Sequence, residues 1–195
     1  SWFLHTPGWK VVMPSTPADA MGLLIAAVQD PSPVMYIDDR WLYAVEGPVP
    51  DEPIATPIGQ AATTHVGQDV TIIANSWMSH QALQAATELD ALGISAEVID
   101  LRTLKPWDRG AVLASVMRTR RALVVDGGWI TGGASAEIAA VIAREAFHTL
   151  RAPVERIALP DQPAPSSRKD EALYYPSVQT IVDRVTYMLA ARKYL

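Results

Sequence analysis

The chain has 195 residues, 49% hydrophobic and 19% charged, which suits one domain, or one domain with part of another, and excludes a disordered or collagen-like chain. It has no cysteine, so disulfide frameworks, thiolate metal sites and cysteine nucleophiles are excluded. The net charge of -5 lies wholly in residues 1–53, where Lys10 and Arg40 stand against seven carboxylates, and no basic stripe points to nucleic acid.

In chain order, the β-branched residues 9–13 predict a strand, and Pro14-Ser15-Thr16-Pro17 leads into a helix ending near Gln29. Thr16 suits its N-cap, and Pro17 suits the first helical position, where a missing N–H costs nothing. Asp30-Pro31-Ser32-Pro33 stops that helix, and residues 34–37 read as the next strand. From Tyr43 to Gly67 the periodicity lapses into a stretch with Pro48, Pro50, Pro53 and Pro57, which reads as a linker, with 58–61 a candidate strand at its end.

A fuller βα series follows. Residues 70–74 form a continuous apolar run, as a strand covered on both faces requires. Ser76 is placed to cap a helix over 78–92, which Gly93 ends. Strands are expected at 94–101, 122–125 and 154–158, and helices at 106–118, 135–148 and 177–191. Right-handed crossovers would join these into an open, mostly parallel sheet with helices on both faces. No apolar run of about 18 residues and no signal-like N-terminus is visible, so a cytoplasmic address is expected.

Spacing alone names no reaction. Gly127-Gly128-Trp129-Ile130-Thr131-Gly132-Gly133 lies between a strand and a helix, where backbone N–H groups can hold an anion or simply make a tight turn. It lacks the order of a dinucleotide fingerprint, and no GKS or GKT follows it. His5, His65, His80 and His148 show no metal-ligand spacing, although His80 falls on the edge where α/β domains bind ligands. Asp38-Asp39 reads as a carboxylate pair or as a solvated strand end, and Ser166-Ser167-Arg168-Lys169-Asp170-Glu171 as a contact loop or a connector. There is no GxSxG elbow.

The segments Trp2-Phe3, His5-Thr6-Pro7-Gly8-Trp9-Lys10-Val11-Val12, Pro14-Ser15-Thr16-Pro17-Ala18-Asp19-Ala20, Glu97-Val98-Ile99-Asp100-Leu101-Arg102-Thr103-Leu104-Lys105-Pro106, Asp126-Gly127-Gly128-Trp129 and Pro163-Ala164-Pro165-Ser166-Ser167-Arg168 carry a resemblance. In their order and wording, the chain resembles the beta subunit of the thiamine-diphosphate-dependent decarboxylating component of 2-oxo acid dehydrogenase complexes. The resemblance implies that residues 1–45 are the end of a pyrimidine-binding α/β domain, 46–57 a linker, and 58–195 a transketolase C-terminal-like domain. It also implies what the chain lacks. The family's cofactor-activating glutamate and its His-Ser-Gln segment match nothing here, so no residue is expected to be catalytic or to bind thiamine diphosphate or magnesium.

By the same resemblance, a potassium ion would be held largely by backbone carbonyls at Ala27, Val28, Asp30 and Ser32, where Ser32 replaces the more usual asparagine. The implied partners are an alpha subunit, a second beta subunit in a heterotetramer, and a lipoyl acyltransferase component. Tyr174, Tyr175 and Arg192-Lys193-Tyr194-Leu195 are candidate contact residues, since aromatics and arginine are enriched at hot spots. The complete enzyme would decarboxylate pyruvate or a branched 2-oxo acid and pass the acyl group to lipoyl. Two alternatives stand beside this reading: a split transketolase-type subunit, and a non-catalytic assembly module that binds an anion near Ser76 and Gly127-Gly128.

Overall fold

The computed structural model describes residues 1–190, so the candidate contacts at Arg192-Lys193-Tyr194-Leu195 lie outside the described residues. The chain opens with a short helix α1 (Trp2–His5), then strand β1 (Lys10–Val12), helix α2 (Pro17–Gln29) and strand β2 (Val34–Tyr36). Thr16 caps α2 by accepting the backbone N–H of Asp19 at 3.1 Å, and Pro17 holds the first helical position, as the sequence predicts. Strands β1 and β2 are parallel, with α2 crossing between them.

After a single 3-10 turn (Arg40–Leu42), residues 46–57 carry no regular element. They are not free of the body, however. The N–H of Thr56 donates to the carbonyl of Gly22 at 3.0 Å, so the linker lies against the one position of α2 with no side chain.

The second series comprises β3 (Ala62–His65), β4 (Val70–Ala74), α3 (Trp77–Ala91), β5 (Ala96–Asp100), β6 (Thr103–Lys105), α4 (Arg109–Thr119), β7 (Ala122–Trp129), α5 (Ala134–Glu145), β8 (Glu155–Leu159), α6 (Arg168–Tyr174) and α7 (Val178–Ala190). Five of these strands form one sheet in the order β3-β5-β4-β7-β8, parallel except for the antiparallel edge strand β3. The period of two along β4 divides the core. Val70, Ile72 and Ala74 face α3 and α7, whereas Ile73 faces the layer of α4 and α5. Each fully buried Val, Leu or Ile there contributes about 1.5–3 kcal/mol, and both layers are closed by such residues.

Three elements depart from the sequence reading. The strand expected at 58–61 forms four residues later, as β3, because Gly59 takes a left-handed φ of 91° that breaks an extended run. Residues 103–105, read as a link to the next helix, form β6 and pair antiparallel with β1. The polar run after Ser166 is helical: Ser167 accepts the N–H of Asp170 at 3.2 Å and caps α6. Through β6, the small sheet β2-β1-β6 joins the first segment to the second.

Replacing Gly22 by alanine tests the linker's docking. A Cβ there would lie 2.9 Å from the Thr56 backbone nitrogen and 3.0 Å from the Ile54 carbonyl oxygen. Gly22→Ala is therefore expected to cost about 1–3 kcal/mol in chemical denaturation and to speed protease cleavage within 46–57, despite alanine's better helix propensity. An unchanged denaturation midpoint would show that the linker is not packed there.

Candidate functional site

One group of buried polar side chains gathers at the C-terminal ends of β4, β5 and β7. Asp100 ends β5 at 1% exposure, and its carboxylate accepts the Ser15 hydroxyl, the Ser79 hydroxyl at 2.9 Å and the backbone N–H of Arg102 at 3.2 Å. Burial pushes its pKa above the ordinary carboxylate range. The three donors oppose that shift, and the neighbouring Asp19 adds to it. Arg102 sits in a left-handed conformation at φ 54°, and its guanidinium donates to Asp19 Oδ1 at 3.0 Å and to the carbonyls of Gln60 and Ala61 at 3.1 and 3.3 Å.

His80 completes this cluster. Its Nε2 lies 2.6 Å from the Ser15 carbonyl, an acceptor that places the proton on Nε2, and its ring stacks on Trp77 at 5.9 Å. The position at the ligand-binding edge is thus spent on holding the first segment. Of the other histidines, His65 bridges the Ala96 carbonyl and Asp90, and His148 packs edge-on to Phe147. The Asp38 and Asp39 carboxylates take separate partners: Asp38 accepts the Tyr43 hydroxyl at 2.5 Å, and Asp39 caps the 3-10 turn by accepting the Trp41 N–H at 3.0 Å.

Beside this cluster lies a cavity of about 210 Å³, bounded by Asn75, Ser76 and Met78 at the β4–α3 junction and by Asp126, Gly127, Gly128 and Gly133 at the β7–α5 junction. Residues of α1, β1 and β6 supply its apolar wall. Strand order reverses between β4 and β7, so the cavity occupies the switch point where open α/β sheets take ligands. The two helix starts differ. Asp126 accepts the N–H groups of Gly128 and Ser135, both at 3.0 Å, and so caps α5. Ser76 holds the N-cap position of α3 but does not cap it: at φ 50° and ψ -131° its hydroxyl bonds nothing and is buried. The glycine-rich turn carries Trp129, half exposed, whose indole N–H lies 3.2 Å from the Gln162 carbonyl and 3.0 Å from the Tyr174 hydroxyl.

The four expected cation positions lie where α2 ends. Ala27 and Val28 are in its last turn, whose carbonyls have no intrahelical partner, and Asp30 is its C-cap. Pro31 and Pro33 lack the N–H groups that could satisfy them, so the backbone oxygens suit a hard cation. The Asp30 side chain is already engaged. Lys10 and the N–H of Ser32 bond its carboxylate and hold its pKa below the usual range. Among the described residues no three His, Asp or Glu side chains cluster as a metal site.

The profile of the transketolase C-terminal domain matches residues 59–181. The chain belongs to that family. Among the curated relatives of this transketolase C-terminal domain protein is the beta subunit of acetoin:2,6-dichlorophenolindophenol oxidoreductase of Cupriavidus necator. It is 44% identical, and the match covers 92% of this chain and 53% of that protein. The pyruvate dehydrogenase E1 component subunit beta-2 of Oryza sativa is 43% identical over 93% of this chain and 50% of its own length. The chain therefore spans about half the length of the curated relatives it matches. Among solved structures, a split-gene transketolase described as an inactive beta4 tetramer is 27% identical with a TM-score of 0.81, covering 96% of this chain and 59% of that one.

The pH dependence of the transketolase C-terminal domain protein should carry the mark of Asp100. A carboxylate whose native pKa is raised binds its proton more tightly folded than unfolded, so its favourable contribution is complete below the unfolded value of about 3.9 and declines as pH rises. The stability of the wild type relative to Asp100→Asn is thus expected to be greatest near pH ~4 and to fall toward pH ~7, measured by urea denaturation. Parallel pH profiles for the two proteins would refute the assignment.

Proposed function

We propose that this chain is part of the beta subunit of a thiamine-diphosphate-dependent 2-oxo acid dehydrogenase, the decarboxylating component of a multienzyme complex. The observation that carries this reading is 43–44% identity, over more than nine-tenths of the chain, to beta subunits of acetoin- and pyruvate-oxidising enzymes. The alpha subunit, a second beta subunit and the lipoyl acyltransferase component are its partners on this reading. Thiamine diphosphate with magnesium supplies the carbanion chemistry in the whole enzyme. The family's cofactor-activating glutamate and its His-Ser-Gln segment match nothing in this sequence, so the reading assigns that cofactor to residues outside it.

What this chain contributes is shape. Asp100, Arg102, His80 and Lys105 hold the segment bearing α1, β1 and α2 against the five-stranded sheet. On this reading that segment is the end of a pyrimidine-binding domain, and the Trp129, Tyr174 and Tyr175 surface serves assembly. The solved relative described as an inactive beta4 tetramer favours a chain that is inert without its partners, and its transketolase name supports a second reading as a split ketol-transferring subunit.

Two measurements separate the readings. Purified chain incubated with thiamine diphosphate, magnesium and pyruvate or a branched 2-oxo acid is expected to release no carbon dioxide, and turnover by the chain alone would overturn the proposal. With partner chains supplied, decarboxylation linked to lipoyl acylation supports the dehydrogenase, whereas ketol transfer between sugar phosphates supports the alternative.

The carbonyls at Ala27, Val28, Asp30 and Ser32 are proposed to hold potassium, on the grounds of their unpartnered positions at the end of α2. Thermal unfolding in potassium chloride should then occur at a higher temperature than in lithium chloride of equal ionic strength, since an ion that binds only the folded state stabilises it by mass action. Equal midpoints would remove the site.

A further inference from the structure

The cavity at the switch point presents two chemistries that one ligand must satisfy together. On the α3 side stand donors. Helix α3 begins without a side-chain cap: the Ser79 N–H turns back to the Ser76 carbonyl at 3.0 Å, while the N–H groups of Trp77 and Met78 have no partner among the described residues, at the positive end of the dipole. Ser76, in the cavity wall and 2% exposed, has a hydroxyl with no partner, and the Asn75 amide, 4% exposed beside it, forms no hydrogen bond among the described residues. An unpaired buried hydroxyl is destabilising, and Ser76 also adopts a left-handed backbone that glycine would accept more readily. Both features stand at the cavity wall, where a turn of the Ser76 side chain would bring that hydroxyl to a ligand.

On the other side stand acceptors. Asp126, 5% exposed, uses one lone pair of each oxygen on the Gly128 and Ser135 N–H groups, which leaves further lone pairs for a donor. Asp39 commits only Oδ1, to the Trp41 N–H, and its second oxygen has no partner among the described residues. A simple anion would be drawn to α3 and repelled by these two carboxylates. A simple amine would meet the reverse. The remaining wall is apolar, from Phe3, Leu4, Val11, Ile37 and Leu104.

We propose that this cavity is a binding site for a small aliphatic amino acid in its zwitterionic form. The carboxylate is held by the start of α3 with Asn75 and Ser76, the ammonium by Asp39 and Asp126, and the alkyl side chain by the apolar wall. Size supports the assignment. A volume near 210 Å³ is enough for a ligand as small as valine. The assignment rests on the cavity's own lining and not on the enzymatic role proposed above. Occupied, it would tie the β4–α3 and β7–α5 junctions to the first segment, and so stiffen the joint that assembly requires.

Isothermal titration of the chain tests this with three probes: L-valine, isovalerate, which lacks the ammonium, and isobutylamine, which lacks the carboxylate. Saturable valine binding with each half-ligand at least about tenfold weaker is expected, because each loses about 1.4 kcal/mol or more of charge-assisted hydrogen bonding. Ser76→Ala removes a hydroxyl that bonds nothing in the free protein, so its thermal midpoint should not fall while its valine affinity drops about tenfold. Asp39→Asn should narrow the preference of valine over isovalerate. Failure of valine to bind at about 10 mM, equal binding of valine and isovalerate, or unaltered affinity in Ser76→Ala would each overturn the proposal.

Discussion

The fold of this chain depends on one buried carboxylate. Asp100 is almost wholly removed from water, and such a group is tolerated only when its lone pairs are used. Two of its donors come from parts of the chain far apart in sequence: Ser15 precedes α2, and Ser79 lies in the first turn of α3. Its third, the N–H of Arg102, fixes the left-handed turn that sends the Arg102 side chain back to Asp19 and the carbonyls of Gln60 and Ala61. One acid therefore sets the distance between the first segment, the linker's end and the main sheet. The residues that follow it extend the same work, because β6 pairs with β1 and Lys105 donates to the Leu4 and Thr6 carbonyls at 2.7 Å.

The switch point owes its character to an asymmetry between two helix starts. Parallel strands β4 and β7 lie side by side and deliver α3 and α5 to the same edge of the sheet, so both dipoles point their positive ends toward one region. At α5 the protein neutralises this internally with Asp126. At α3 it does not, and the strained, unbonded Ser76 sits where a cap would be. A cavity walled by one helix start that a carboxylate neutralises and one that none does is polarised, and this polarity restricts what it can hold.

Most of the regular structure is legible in the sequence, for reasons that can be named. Thr16 and Pro17 start α2 where the capping rules place it, and the uninterrupted apolar run in β4 reads correctly as a strand covered on both faces. Gly93 at φ 74° ends the α3 segment as expected. The misses share a cause. Strand β6 has only three residues and forms because β1 offers it partners across a long sequence separation, which no local pattern records. Helix α6 opens on the polar run Arg168-Lys169-Asp170-Glu171, whose sequence shows no apolar periodicity, and its cap at Ser167 is one serine of two. Within the site, the Ile99-Asp100-Leu101-Arg102-Thr103 motif carried the resemblance, but its physical role emerged only from what it touches. The Ser76 hydroxyl was read as a cap because N-cap statistics describe residue type and not the backbone angle that decides the bond.

The acidic first quarter changes meaning in the same way. By count it marks only a segment that would repel a phosphate backbone. In the structure, four of its seven carboxylates have specific tasks: Asp19 pairs with Arg102, Asp30 with Lys10, Asp38 accepts Tyr43, and Asp39 caps a turn. The three that remain, Glu46, Asp51 and Glu52, are exposed and lie in the proline-rich linker. Like charges there favour an extended backbone, as do the prolines, and the linker is pinned again at Thr56 against Gly22. The exposed carboxylates in the linker thus favour an extended connection between the two sheets, and a backbone hydrogen bond to α2 fixes where that connection ends.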